Sequence, residues 1–157
     1  WRLRHGGGHR MLRPTIAAGD TSMLRTLLAI VLGVIAMMVT VYGIEAIGHM
    51  MYPPPPGLDP NDLDQLDSIV AAAPVGAMVM LVIGWCVGTI VGSGLAARIA
   101  RHPRIAATVV ALLVVIGVAG TVFLMPSHPT WVAALGLLLP VPLGLGMARV
   151  VGRRGAQ

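Results

Sequence analysis

The stretch TLLAIVLGVIAMMVTVYGIEAIGHMMYPPPPGLD, residues 26–59, opens with nineteen uncharged residues, then adds one glutamate and one histidine and ends in four consecutive prolines and GLD. A helix needs about 20 mainly apolar residues to cross the hydrocarbon core of a bilayer. Proline cannot continue such a helix, because it lacks the N–H donor and its ring clashes with the preceding turn. The stretch therefore predicts a transmembrane helix that leaves the membrane at the prolines.

The rest of the chain has the same character. Of its 157 residues, 56% are hydrophobic and 11% are charged, and the mean hydropathy is +0.84. A soluble domain has about 25% charged residues. Ser68–Ala97 is a further uncharged run, and Ile105–Ala148 is a third, broken by PSHPT at Pro126–Thr130. These runs predict an all-α integral membrane protein, a four-helix bundle with transmembrane helices at roughly 24–51, 74–100, 104–125 and 130–150.

Residues 23–157 are predicted to form this single transmembrane domain. Residues 1–22 are rich in arginine and glycine without periodicity, and we expect a basic, disordered tail or an over-extended N-terminus there. Pro140 and Pro142 interrupt the last apolar run and predict a bend in the fourth helix. Trp85 lies inside the second span, where we expect it to contribute to packing.

The arginines orient the predicted bundle. The chain has eleven Lys and Arg residues in total, and all of them are arginine. They are Arg2, Arg4, Arg10, Arg13, Arg25, Arg98, Arg101, Arg104, Arg149, Arg153 and Arg154. With four crossings all of them fall on one side, so the positive-inside rule predicts that both termini (N-in/C-in) are cytoplasmic, in a bacterial inner membrane. Nucleic acid is excluded as a partner, because no stacking aromatic residues lie among these arginines.

The first loop is acidic and contains the proline run. Pro53–Pro56 favours an extended, stiff polyproline segment, and Gly57 permits a turn. Asp59 is a good helix N-cap and Pro60 suits the first helical position. We therefore expect a short acidic surface helix in the first outer loop. Four aspartates occur there, and without the EF-hand spacing they indicate caps and a solvated face rather than a calcium site.

A row of small residues marks one face of the second span. Gly84, Gly88, Gly92 and Ala96 are spaced by four and lie on the same side of a helix. Small residues let helix backbones approach closely in lipid. The row predicts a close helix–helix seam, with a helix of the same chain and a second protomer as alternative partners. A pore lined by this row is the sharper alternative.

A polar row marks the first span, where Tyr42, Glu45 and His49 share one face at offsets of three and four. Glu45 lies twenty residues after Arg25, which is about 30 Å of helix, and so near the outer boundary of the hydrocarbon core. A hydrated outer rim, a proton or cation site and a metal site completed by His128 are all open interpretations. We predict no metal and no cofactor, and a candidate polar or ion site formed by Tyr42, Glu45, His49 and His128.

Two resemblances accompany these patterns. The segment EAIGHMMYPPPPGLDP, residues 45–60, with four short spans, resembles a group of small bacterial inner-membrane proteins that have a YPPPPG loop. That resemblance covers most of the chain and implies the fold and the location, without an activity. The chain is also similar to the small multidrug-resistance transporters, which have four helices and a glutamate in the middle of the first. Glu45 differs in lying at the outer end of its span, and the loops here are longer.

The sequence contains no nucleophile–base arrangement, P-loop or dinucleotide fingerprint, and we expect a protein that is not an enzyme. The leading prediction is a structural or accessory component that associates with itself or joins a larger membrane complex through the glycine-rich face. The alternative is a small proton- or cation-coupled transporter or channel that uses Glu45 and His49. A metalloenzyme with a site on the outer face is a third, more remote class.

Overall fold

The computed structural model describes residues 17–59 and 62–154 as a helical bundle. Its helices are α1 (Ala17–Met51), α2 (Leu63–Ala72), α3 (Val75–Ile99), α4 (Pro103–Leu124), α5 (Thr130–Leu138) and α6 (Pro140–Arg154). Over the described residues no strand is present. Four helices are long and apolar enough to cross a membrane, namely α1, α3, α4 and the combined α5–α6 over Thr130–Arg153. The predictions of an all-α fold and of four helices long and apolar enough to span a membrane are confirmed.

The predicted helix ends agree with the structure except at the start of the chain. Helix α1 begins at Ala17, so residues 17–22, predicted to belong to a disordered tail, are helical. The reason is that Ala17 to Met23 contains no proline and only one glycine, and nothing there stops the helix from continuing backwards from its apolar run. The remainder of the predicted tail, residues 1–16, lies outside the described residues.

The two ends of the bundle differ in charge. Arg25 Nε donates a hydrogen bond of 2.8 Å to the Ile99 carbonyl oxygen, which joins the first turns of α1 to the last turn of α3. We call this the arginine end. The arginines at this end in the described part of the chain are Arg25, Arg98, Arg101, Arg104, Arg149, Arg153 and Arg154, and Asp20 of α1 lies at the same end. The opposite end, which we call the acidic end, contains Glu45, Asp59, Asp62, Asp64 and Asp67.

The glycine row of α3 packs against α1 of the same chain. A Cβ atom placed on Gly92 would lie 2.6 Å from the Gly33 carbonyl oxygen, which is closer than a real Cβ can approach. At Gly88 the corresponding distance to the Met37 carbonyl oxygen is 3.3 Å, and at Gly84 the distance to the Val41 carbonyl oxygen is 3.9 Å. The backbones of α1 and α3 therefore touch near the arginine end and diverge, turn by turn, towards the acidic end.

Small residues close the rest of the arginine half. Ala29, Ala96, Ala100, Ala106 and Val110 from α1, α3, α4 and the turn between them form one buried cluster. Helix α6 approaches equally closely, since a Cβ on Gly144 would lie 2.7 Å from the Ala111 Cβ and 3.1 Å from the Ser93 hydroxyl oxygen. Lipid supplies no hydrophobic drive for helix association, so close van der Waals contact of this kind stabilises the bundle.

This packing bears on the predicted association surface. The face formed by Gly84, Gly88, Gly92 and Ala96, through which the sequence predicts self-association or complex formation, is covered by α1 within one chain. Of the two partners that the row left open, the structure uses the internal one. Any contact with another protein has to use a different surface.

The fourth span bends at its prolines. Helix α5 ends at Leu138 and α6 begins at Pro140, while Leu139 between them keeps a right-handed helical backbone with φ −76° and ψ −36°. The Leu139 N–H still bonds to the Leu135 carbonyl at 3.0 Å, and the Leu143 N–H bonds to the Leu139 carbonyl at 3.1 Å. The prolines therefore bend the span without breaking its path, as the sequence predicts.

The predicted acidic helix is present as α2, but its N-cap is Asp62 and not Asp59. The Asp62 carboxylate accepts hydrogen bonds from the Asp64 backbone N–H at 3.0 Å and from the Gln65 side chain at 2.7 Å. The Asp59 N–H instead donates to the Gln65 side-chain oxygen at 2.9 Å, which holds Asp59 outside the helix. Asp62 with Gln65 three residues later is the spacing of a capping box, and this second signal prevails over Asp59–Pro60.

Candidate functional site

The divergence of α1 and α3 leaves a large cavity at the acidic end. Its volume is about 1210 Å³, and it is lined by α1, α3 and α4, by the segment from Tyr52 to Pro56, and by α2. Helices α5 and α6 do not contribute to the lining. Most of the wall is apolar, and its deeper part is formed by Val34, Met37, Val41, Trp85, Val114 and Val118. A cavity of this size and polarity fits a small organic molecule.

All four residues of the predicted polar site line this cavity. Tyr42, Glu45 and His49 lie on α1, and His128 lies on the opposite wall, in the connection between α4 and α5. Glu45 is half-buried, while Tyr42 and His49 remain exposed at the rim. His128 is buried, with 7% of its surface exposed. The structure therefore answers one question that the sequence left open, because the polar row of α1 faces a space enclosed by several other elements.

The Glu45 carboxylate has no hydrogen bond or ion pair with any residue that the structure describes. Helix α1 continues through Glu45 and His49 to Met51. His49 is near enough to interact electrostatically with the Glu45 carboxylate, but no hydrogen bond or ion pair joins the two side chains. A half-buried carboxylate in a mainly apolar wall that accepts no hydrogen bond is costly unless a cation or ordered water satisfies it.

A hydrogen bond to the backbone fixes the orientation of the His128 ring. Its Nδ1 lies 2.8 Å from the Met125 carbonyl oxygen. Since a carbonyl only accepts, Nδ1 must carry the proton and donate this bond. The other ring nitrogen, Nε2, is left as the atom with which His128 can contact a molecule in the cavity.

The three residues of the hypothetical metal set share the cavity but not a coordination sphere. Among the described residues, no group of three or more His, Cys, Asp and Glu side chains is arranged to hold a metal ion. Glu45, His49 and His128 therefore do not form the two-histidine, one-carboxylate set. The arrangement can instead present one carboxylate and two separate imidazoles to a larger molecule.

The entrance of the cavity is covered by α2 and the proline segment. The Asp67 carboxylate accepts two hydrogen bonds from Ser127, one from its backbone N–H at 2.9 Å and one from its hydroxyl at 2.8 Å. This pair ties α2 to the connection between α4 and α5. Leu66, Ile69 and Val70 of the same helix line the cavity beneath it.

The contributions of Asp67 and Ser127 to the site are not predicted from the sequence. Asp67 is one of the four aspartates that the sequence assigns to caps and a solvated face, and nothing in a single sequence connects it with Ser127, sixty positions further on. Trp85 was expected to contribute to packing, and it does: it is 6% exposed and its ring packs on Gly136. It also forms part of the cavity wall. Its position one residue after Gly84 would have placed it beside the α1–α3 seam.

No family model matches this chain, and comparisons with curated proteins and with solved structures return no significant match. The function is therefore argued from the geometry of the cavity.

Proposed function

We propose that the protein is a small membrane transporter for an organic cation, which binds in the cavity with its charge at Glu45. The observation that carries this proposal is the half-buried Glu45 carboxylate, which forms no hydrogen bond or ion pair with a described residue and lines a cavity of about 1210 Å³. His49 is the neighbouring protonatable group at the rim. Within the part of the chain that is described, no arginine lines this cavity.

The chemistry of the wall favours a cation with an apolar body. An inorganic metal ion needs several oxygen or nitrogen ligands close together, and the deep wall supplies mostly hydrocarbon. An organic cation buries its apolar groups against that wall and places its charge near the carboxylate. Trp85 of α3 and Tyr42 of α1 also line the cavity, and an aromatic ring attracts a cation that reaches its face.

The closed arginine half favours a transporter over an open channel. The lining of the cavity reaches no deeper than Val34 on α1 and Trp85 on α3. Beyond this level the contact between Gly33 and Gly92 brings the two backbones together. A molecule bound at Glu45 thus has no open path to the arginine end, and release there requires α1 and α3 to separate.

The charges of the two ends support an orientation. We propose that the arginine end and both termini face the cytoplasm, in a bacterial inner membrane, because arginine-rich loops are retained on that side. Alkaline phosphatase fused after Arg153 should then be inactive, and the same enzyme inserted after Gly57 should be active. The reverse pattern contradicts the orientation and leaves the binding proposal intact.

Binding is tested with tetraphenylphosphonium and with tetraphenylborate, an anion of the same shape. Trp85 reports on the cavity by fluorescence when Trp1 and Trp131 are replaced by phenylalanine. We expect quenching by the cation and not by the anion. Glu45→Gln should weaken binding of the cation by about tenfold or more, since a cation and a carboxylate a few ångströms apart attract strongly in a partly buried site.

The matched control is Asp64→Asn. Asp64 is an exposed acidic residue at the same end that does not line the cavity, so this change should leave the affinity unaltered. Transport is then measured as uptake of the cation into proteoliposomes under a proton gradient. Equal affinity for the two ions, or equal losses in E45Q and D64N, would falsify the proposal of a cation site.

A structural or accessory role is the second candidate, and the observation in its favour is the surface of α1. In the apolar 18-residue stretch of α1, only 17% is buried inside the bundle, compared with 39% in the corresponding stretch of α3. A second copy could pack there, on the face that contains Val39 and Gly43, both of which are exposed. Cross-linking of Val39→Cys between copies in native membranes tests this role, with Val132→Cys, which is buried inside the bundle, as the control.

A further inference from the structure

A second concave surface lies at the arginine end, between the α3–α4 connection and α6. Its volume is about 740 Å³, and it is lined by residues 101–105 and by Ala148, Arg149, Gly152 and Arg153. We call it the arginine cleft. It lies at the other end of the bundle from Glu45, and the proposed transport function makes no use of it.

The cleft concentrates positive charge. Arg101, Arg104, Arg149 and Arg153 all line it, together with His102, and no acidic residue does among those whose side chains the structure describes. The four arginines are exposed, and none makes an ion pair or side-chain hydrogen bond with a residue that the structure describes. Four guanidinium groups around one depression repel each other, and an anion bound among them relieves that repulsion.

Flanking the membrane does not by itself require this arrangement. Arg98 is exposed at the same end without lining the cleft, and Arg25 is engaged by the Ile99 carbonyl. Both satisfy the general preference for arginine at the ends of spans. The other four converge on one concave surface, which a preference for one side of the membrane does not explain.

Helix α4 adds backbone donors to the same place. It begins at Pro103, and its N-cap residue His102 makes no side-chain capping hydrogen bond. The backbone N–H groups of Arg104 and Ile105 in the first turn have no intrahelical acceptor and carry the positive end of the helix dipole. Such N–H groups bind phosphate oxygens readily when cationic side chains surround them, as they do here.

The position of the cleft selects among phosphate-bearing molecules. It lies where α4 and α6 reach the end of their membrane spans, which is the level of lipid headgroups. Ile105, with 57% of its surface exposed, and Ala148 give it an apolar side that continues along the spans. A molecule with a phosphate and a hydrocarbon chain can contact both parts, whereas a free phosphate uses only the first.

From these observations we propose that the arginine cleft binds the phosphate headgroup of an anionic phospholipid, with an acyl chain lying along Ile105. Basic pockets between transmembrane helices bind such headgroups by the same chemistry.

The test measures which lipids stay with the full-length protein. Protein purified in detergent is equilibrated with a mixture of phosphatidylglycerol and phosphatidylcholine, and the retained lipids are quantified by mass spectrometry after gel filtration. We expect the wild type to retain phosphatidylglycerol preferentially. The double variant Arg104→Gln/Arg149→Gln should lower this preference by about 25-fold, since each arginine near a lipid surface strengthens the attraction roughly fivefold.

Arg98→Gln is the matched control, because it removes a charge at the same end outside the cleft and should keep the preference. A loss in R98Q equal to the loss per charge in the double variant means nonspecific attraction and overturns the proposal. Displacement of the lipid by an equal concentration of inorganic phosphate also overturns it, since the cleft then takes free phosphate.

A further variant separates binding from folding. Arg104→Lys/Arg149→Lys keeps the charges, and its unfolding temperature is compared with that of the glutamine variant. If the lysine variant retains the lipid and both variants unfold at the wild-type temperature, the loss in the glutamine variant is a loss of binding. If neither the wild type nor the lysine variant prefers phosphatidylglycerol, the proposal is wrong.

Discussion

The arginine half and the acidic half of the α1–α3 pair are built from the same two helices but have opposite interiors. Near the arginine end, Gly33 faces Gly92 with no room for a single added carbon. Two turns further along, at Gly84, a Cβ would make ordinary contacts of 3.6 Å with Ile44. The closed half is filled by alanine and glycine, and the open half holds a cavity of about 1210 Å³.

The difference between the two halves shows which residues determine the position of the cavity. In lipid, apolar side chains gain little by leaving their surroundings for a helix interface, so the separation of two helices is set by which residues let them touch. Glycine faces glycine across this interface where the backbones touch most closely, at Gly33 and Gly92. Towards the acidic end Val41 and Ile44 face the glycines of α3, and their side chains hold the helices apart. The cavity therefore follows from the side-chain size on α1.

The largest expected effect comes from filling the closed half. Gly92→Ala places a methyl group 2.6 Å from the Gly33 carbonyl oxygen and from the Met37 Cβ. Because backbone cannot move aside as a flexible side chain does, we expect a loss of about 1–3 kcal/mol in the free energy of unfolding. The measurement is an unfolding titration in mixed micelles.

Gly84→Ala is the control on the same face of α3, since its nearest neighbour is at 3.6 Å. It should leave stability unchanged or raise it slightly through the better helix propensity of alanine. Similar losses of stability in both variants would show that α1 and α3 approach each other equally closely in the two halves.

The next effect is on the open half, where Gly117 of α4 lines the cavity and a Cβ placed on it meets nothing within 4 Å. Gly117→Leu therefore extends a side chain into the space without disturbing the backbone. Binding of tetraphenylphosphonium should weaken by about tenfold, the equivalent of roughly 1.4 kcal/mol, because ligand and side chain compete for the same volume.

Gly120→Leu is matched to it. Gly120 lies on the same helix, also has nothing within 4 Å, and does not line the cavity. Its substitution should leave the affinity as it is in the wild type. An unchanged affinity in G117L, with the protein folded, would show that the cation binds elsewhere.

The smallest expected effect concerns α2, which lies over the cavity of the open half. Asp67→Ala removes both hydrogen bonds to Ser127, which lie near the surface and together stabilise the closed position of α2 by about 1 kcal/mol. We expect the backbone amides of α2 to exchange with deuterium roughly fivefold faster, as follows from that free energy. The closed half, including the amides around Gly92, should be unaffected.

Asp64→Ala is the control for α2, because its exposed carboxylate makes no hydrogen bond with a described residue. Ser127→Ala should reproduce part of the effect, since it removes the hydroxyl donor and keeps the backbone N–H. Equal exchange in D67A and D64A would show that the pair does not hold α2 in place.

Much of this architecture follows from the sequence, for physical reasons that can be stated residue by residue. The uncharged runs and the proline breaks predict the four spans, because the bilayer thickness fixes the length of an apolar helix. Offsets of three and four predict that Tyr42, Glu45 and His49 share a face. That His128 lies across the same cavity was foreseen only as one of several alternatives.

Other features depend on tertiary packing and were beyond reach. A row of glycines can pack against any helix that has small residues on its surface. The positions of Gly84, Gly88 and Gly92 therefore do not predict which helix contacts them. The choice between Asp59 and Asp62 as N-cap turned on the Gln65 side chain, which both could use. Asp67 and Ser127 meet because two connections at one end of the bundle come together, and no local pattern encodes that.

The proline segment also has a consequence for how the bundle assembles. The closest contact, between Gly33 and Gly92, joins residues separated by the whole first loop and α2, so it is a non-local contact. Pro53–Pro56 has few accessible backbone conformations before folding, and so less conformational entropy is lost when α3 docks on α1. The prolines thereby lower the entropic cost of this docking, quite apart from lining the cavity.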